Sequence, residues 1–237
     1  MEPYTPTPQS PWLSIWTRPR ATIARIVADN PNKSLWLLAA IYGFSSLLNS
    51  CQSMSLGSAL SPLAILIIAL VLGPLWGYIS FSVWSAAVYW TGKWFKGDAD
   101  YRCVRAAYAW SCVPIAVNVP LWLVMIVLFG GQLFVNFPEG YQLSDGMITV
   151  LFFILVSKVV LAIWSLVIYL NALAEVQQYS VLRAIFNVIV AGLIVSVVLA
   201  LLWLLLLYSL GVSVEEPKTA WLLWNEQTSL ELLRRGL

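Results

Sequence analysis

Lys158 is the residue of this chain whose chemistry most needs an explanation. It stands inside ITVLFFILVSKVVLAIWSLVIYLN, a run with no other charge. An ammonium about 16 Å along an apolar helix costs at least ~2.5–3.5 kcal/mol on insertion scales, so it must face protein or water. No acidic residue lies in any comparable run. Its partners must then be neutral: Asn118, Asn187, Ser157, or carbonyls freed by Pro114 and Pro120. Two readings stand. Lys158 is a snorkelling or backbone-paired lysine that fixes helix packing, or it lines a polar cavity that receives an anionic group such as a lipid phosphate. Asn118, Asn171 and Asn187 read as interhelical hydrogen-bonding residues.

The densest charges elsewhere are Lys93, Lys96, Asp98, Asp100, Arg102 and Arg105. Gly97-Asp98 reads as a turn followed by a helix N-cap. Asp98 and Arg102, four apart, have helical pairing distance. The set is either a solvated, self-paired loop that fixes orientation or a docking face for anionic headgroups or a protein partner. In the second case Arg18, Arg20 and Arg25 join it. Its carboxylates lie beside Lys and Arg, which argues against a raised pKa and a general-acid role.

Catalysis finds little footing. The chain has no histidine, which removes the commonest general base and the Ser-His and Cys-His pairs. Cys51, Cys103 and Cys112 have no CxxC spacing and read as small buried hydrophobes. No metal site and no cofactor is expected, and the chain is read as a non-enzyme.

The elements that position these residues are membrane elements. Of 237 residues 60% are hydrophobic and 10% charged, against about 25% charged in a soluble domain. Five spans are expected, near 34–51, 62–91, 106–130, 147–171 and 184–211. The fold class is therefore all-α, an integral membrane bundle of five transmembrane helices. Residues 1–33 read as a proline-rich leader and an interfacial amphipathic helix over 12–30, with Thr17 as its cap and Pro19 in its first turn. Ile23, Ile26 and Val27 share one face of it, opposite Arg18, Arg25 and Asp29. Residues 34–211 form the span domain, and 212–237 an amphipathic tail. Lys and Arg concentrate before the first span and in the 92–105 connection, whereas the first-to-second and third-to-fourth connections have none. That bias places the N-terminus in the cytoplasm and the C-terminus outside. Pro74, Pro114 and Pro120 interrupt the second and third spans, which should therefore pack together. Net charge of +2 gives no case for nucleic acid.

Two stretches carry a resemblance. Gly73-Pro74-Leu75-Trp76-Gly77 and Ala107-Tyr108-Ala109-Trp110-Ser111-Cys112-Val113-Pro114 resemble the Yip-one domain family, the Ypt/Rab-interacting membrane proteins and their bacterial relatives. The motif residues are Gly73, Pro74, Trp76 and Gly77, a glycine-bearing turn at Gly92 and Gly97, and Tyr108, Ser111 and Pro114. The lead-in from Trp12 to Ile26 is similar to that of bacterial members. The resemblance covers roughly residues 12–211. It implies five spans with a cytosolic N-terminus and, for a bacterial-type member, the inner membrane. It also implies a non-catalytic scaffold or organiser of membrane and partner proteins. The alternative is a transporter or lipid-handling protein with a polar cavity at Lys158. Expected partners are membrane lipids, anionic ones included, an unidentified protein and, as an option, a second copy of the chain. A Rab-type GTPase is not expected for a bacterial chain: Leu70-Val71-Leu72 stands where eukaryotic members carry Asp-Leu-Tyr, and their long N-terminal domain is absent.

Overall fold

The computed structural model of the protein describes residues 10–135 and 144–210. The helices are α1 (Pro11–Thr17), α2 (Pro19–Asp29), α3 (Leu35–Ser53), α4 (Pro62–Trp94), α5 (Tyr101–Ser111), α6 (Asn118–Phe129), α7 (Asp145–Val176) and α8 (Val181–Ser209). There is no strand among the described residues. The chain falls into two units, Met1–Gly192 and Leu193–Leu237. The first holds α1–α7 and the start of α8, and the described part of the second is the apolar helical stretch 193–209. The expected tail over 212–237, and the leader before residue 10, lie outside the described residues.

Among the described residues, four stretches are long and apolar enough to cross a membrane: Pro62–Trp94, Tyr101–Phe134, Asp145–Val176 and Val181–Ser209. They match the second to fifth expected spans. The first expected span is α3, which is not among the four. Its second half carries Ser45, Ser46, Asn49, Ser50, Gln52 and Ser53, which dilute its hydropathy. Large apolar side chains such as Leu63, Leu70, Val71, Trp90, Phe152, Phe153 and Leu155 are exposed. A surface of that kind suits hydrocarbon and not water.

Local chemistry sets the ends. Ser61 caps α4 by accepting from the Ala64 N–H at 3.3 Å, with Pro62 at the first helical position. Ser144 caps α7 in the same way from Met147, with Asp145 in the first turn. The three interior prolines behave differently, and Pro120 sits in the first turn of α6 without breaking it. α4 runs through Pro74, whereas the third expected span breaks at Pro114 into α5, a 3-10 turn over Pro114–Val117, and α6.

The N-terminal helix expected over 12–30 is two helices. Thr17 ends α1 and does not cap the next helix; the cap position is Arg18, at φ −133° and ψ 60°. The residue before a proline is pushed out of the helical region, so Pro19 divides the segment. The apolar face also has protein against it. Ile15 and Ile23 are fully buried and Ile26 nearly so, in one core with Trp110 and Ile168. α5 and α7 cover this face, and it is not open to headgroups.

The most intimate contact in the bundle is between antiparallel α3 and α4. A Cβ on Gly43 would stand 1.8 Å from the Gly73 carbonyl oxygen, and one on Gly77 would stand 1.9 Å from that of Ala39. Gly73-xxx-Gly77 on α4 therefore faces Ala39-xxx-Gly43 on α3, and the two backbones touch. Gly73 and Gly77 of the expected motif are thus explained by close approach. Any added carbon must push backbone aside, because backbone is what it meets. We expect Gly77→Ala to lose about 1–3 kcal/mol, seen as a lower melting temperature in detergent. Gly146→Ala, with nothing within 4 Å of its Cβ position, should leave stability unchanged or slightly raised.

Candidate functional site

The Pro114 break organises the interior. Pro114 has no N–H and its ring excludes a helical approach to the carbonyl four residues before it. The chain tightens instead, with Ile115 N–H donating to the Cys112 carbonyl at 2.9 Å. The Ser111 carbonyl thereby loses its helical donor, and Ser165 of α7 supplies one through its hydroxyl at 2.7 Å. Ser111's own hydroxyl turns back to the Tyr108 carbonyl at 2.6 Å. Tyr108 sits among Phe81, Trp84 and Tyr169, with ring centroids 5.4, 6.1 and 5.1 Å away. Trp84 donates to the Tyr169 hydroxyl at 3.1 Å. Tyr108, Ser111 and Pro114 thus act as one joint between α5, α4 and α7.

Two concavities meet at this joint. One, of about 260 Å³, is lined by Trp84, Tyr108, Ser111, Cys112, Ser165 and Tyr169 among others. The second, of about 460 Å³, runs along the serine-bearing face of α3 against Asn118. Ile115 and Ala162 line both. The chemistry on offer is hydrogen bonding by neutral groups and contact with aromatic faces. Cys51, Cys103 and Cys112 are free thiols, and no group of metal-ligating side chains forms among the described residues. No nucleophile with a neighbouring base is assembled here.

At the end that carries residues 95–100, a second arrangement locks the helix ends. α4 and α7 both stop in a Schellman turn. Gly97 N–H donates to the Gly92 carbonyl at 2.9 Å and Tyr179 N–H to that of Ala174 at 3.1 Å. Lys96 (φ 60°) and Gln178 (φ 54°) occupy the left-handed positions usually given to glycine. Gln177 lies between the two turns, 2% exposed. Its backbone carbonyl accepts from Asp98 N–H at 3.4 Å and its side-chain oxygen from Ala99 N–H at 3.3 Å. A Cβ on Gly97 would stand 2.1 Å from that oxygen, and one on Gly92 2.5 Å from the Gln177 Nε2. The glycines of the expected turn therefore make room for Gln177. Asn187, fully buried at the start of α8, donates to the Val88 carbonyl at 3.2 Å and to the Tyr179 hydroxyl at 2.9 Å, and accepts from the Thr91 hydroxyl. Burial pushes the Tyr179 phenol above its ordinary range. Its neutral form is the one the fold holds, so this contribution is present below that range and lost as pH rises through it.

The singled-out residues fall into separate places. Lys158 lies 4.2 Å from the centre of the Trp122 ring, a cation–π contact between α7 and α6. Asn118 lines the larger concavity and Asn187 belongs to the Gln177 end, so Lys158, Asn118 and Asn187 do not form one cluster. Trp76 donates to the Ser46 hydroxyl at 3.2 Å. Arg105 reaches the Tyr78 hydroxyl at 3.2 Å and Asn32 at 3.0 Å, with its guanidinium over Tyr78 and Tyr101. Arg20 donates to Asn171 at 3.3 Å and Arg25 to Ser14 at 3.5 Å. Lys93 stands over the Tyr89 ring. Arg18, Lys96, Asp98 and Arg102 are exposed. Asp98 lies in the loop and not on the helix. The cap position of α5 is Asp100, whose side chain makes no cap bond.

Sequence reasoning missed Gln177, Thr91, Tyr179, Ser165 and the serine face. A signal for the last existed: Ser46, Asn49, Ser50 and Ser53 recur at helical spacing. Asn187→Leu should cost about 1–3 kcal/mol by stripping a buried network. In a thermal melt that loss should exceed the one from Asn171→Leu, whose side chain is only half-buried.

Comparison with curated proteins and with solved structures finds no match to this chain. The family model for the Yip1 domain matches residues 13–204. That interval contains the glycine seam, the Pro114 joint and the Gln177 clamp. The chain is a member of the Yip1 domain family.

Proposed function

We propose that this protein is a non-catalytic organiser of its membrane, presenting a fixed cationic face to anionic headgroups or to a protein partner. The observation that carries the reading is the state of the charges beside the clamp. Lys93, Lys96 and Arg102 are exposed, and neither Asp98 nor Asp100 forms an ion pair with a described residue. The loop carries Lys93, Lys96 and Arg102 against Asp98 and Asp100, and none of the five is held in an ion pair with a described residue. Arg18 is exposed at the turn between α1 and α2, on helices that are fastened to α5 and α7 through Ile15, Ile23 and Ile26. A rigid scaffold holding unpaired cations is what headgroup or acidic-partner contact requires.

In this reading α3 is a fifth span. Its 19 residues reach about 28 Å, and it lies along α4 by the glycine seam. The N-terminus and the 95–100 loop then face the cytoplasm and the C-terminus lies outside, as the Lys and Arg bias requires. The membrane is the bacterial inner membrane, with α1 and α2 at its cytoplasmic surface. The cavity-at-Lys158 alternative has less support, because Lys158 contacts Trp122 and lines neither concavity.

Neutralising Lys93, Lys96 and Arg102 together to Gln should weaken capture of anionic vesicles by the reconstituted protein several-fold at low salt. Equal capture by variant and parent would overturn the headgroup reading. In a background lacking Cys51, Cys103 and Cys112, Lys96→Cys should react with an impermeant maleimide in inside-out vesicles and stay unlabelled in right-side-out cells.

A further inference from the structure

We propose that the serine face of α3 binds the uncharged, hydroxyl-bearing headgroup of a membrane amphiphile, a glycosyl diacylglycerol by class. The inference does not rest on the cationic face. It rests on unmet hydrogen bonds inside the larger concavity.

Ser45 is 1% exposed, lines the groove, and its hydroxyl has no hydrogen-bond partner. Across from it, Asn118 Oδ1 is buried and also without a partner. Buried polar atoms in folded proteins are nearly always satisfied, by protein, by ordered water or by a bound polar group. Other serines on the same helix show the contrast. Ser50 and Ser53 return their hydroxyls to the Ser46 and Asn49 carbonyls at 3.1 and 2.9 Å. Ser46 is held differently. The Trp76 indole donates to its oxygen, which fixes that oxygen in place and leaves the hydroxyl hydrogen to donate elsewhere. The groove thus offers a fixed donor at Ser46, a donor-acceptor at Ser45 and an acceptor at Asn118.

Charge decides the class. No Lys, Arg, Asp or Glu lines the groove, and the intramembrane ammonium, Lys158, is engaged at Trp122. A phosphate placed here would be a buried anion without a counter-ion, which is strongly disfavoured. Sugar hydroxyls both donate and accept, and so match all three protein groups. From Ser45 to Ser53 the face runs about 12 Å along the helix axis, room for a headgroup bearing several hydroxyls. Met54, Ile115 and Ala162 supply apolar contact beside it, and exposed apolar side chains such as Leu123 and Ile163 give acyl chains a surface outside.

The test uses the full chain in phosphatidylcholine nanodiscs doped with either a monoglucosyl diacylglycerol or phosphatidylglycerol, with retained lipid counted by native mass spectrometry. The parent should retain the glycolipid at least tenfold over phosphatidylglycerol. The double variant Ser45→Ala, Asn118→Leu should lose that preference while its melting temperature holds or rises, because it removes unpaired polar atoms without adding side-chain heavy atoms. If that variant does not fold, Ser46→Ala alone should reduce retention several-fold. Three results each overturn the proposal: no glycolipid retention by the parent, equal retention of phosphatidylglycerol, or undiminished retention by the folded variants.

Discussion

The bundle depends on one backbone contact. At the crossing of α3 and α4, Gly43, Gly73 and Gly77 leave no side chain between the two helices, and backbone atoms of the facing helix lie where Cβ atoms would be. Lipid supplies no hydrophobic drive for helices to associate, so close van der Waals contact has to do it. That contact fixes which face of α3 looks at α4. It thereby decides that Leu38 and Ala39 enter the core and that Ser45, Ser46 and Asn49 line a groove. Trp76, next to Gly77 in the seam, reaches Ser46 because the seam is tight.

Two proline responses complete the architecture. α4 keeps its course through Pro74, beside the glycine crossing. α5 ends at Ser111, and Ser165 takes up the released carbonyl. The first response keeps an unbroken helix beside α3. The second makes a joint where aromatic rings from α4, α5 and α7 converge on Tyr108. At the other end Gln177 replaces a solvent shell for two helix termini, so the charged loop leaves the bundle in a defined direction.

Much of this was legible in the sequence, for identifiable reasons. Long apolar runs locate four spans because hydrocarbon admits little else. The motif residues from Gly73 to Pro114 were legible as a group, and the family match covers them. What they do was not, since Gly73-xxx-Gly77 gains meaning from Ala39 and Gly43, thirty or more residues away. Gln177 was invisible for the same reason: nothing local marks a glutamine that fits against Gly92 and Gly97. The N-terminal segment is helical, but Pro19 splits it and α5 and α7 cover its apolar face. Periodicity reports that a face is apolar and is silent on whether lipid or protein meets it. The pairing expected between Asp98 and Arg102 assumed a helix that begins only at Tyr101.

On the five-span reading, α3 has a consequence for how the protein is made. One of its faces is spent on glycine contact with α4 and another is hydroxylated, which leaves it less apolar surface for lipid than the four longer stretches have. A helix of that composition leaves the insertion machinery poorly by itself. It becomes a good span only once α4 has been synthesised and can pair with it. α3 and α4 would then enter the membrane as a hairpin, with the short connection around Leu56–Ser58 leading. On that reading the glycine seam would serve assembly as well as packing, by pairing α3 with α4 before the rest of the bundle exists.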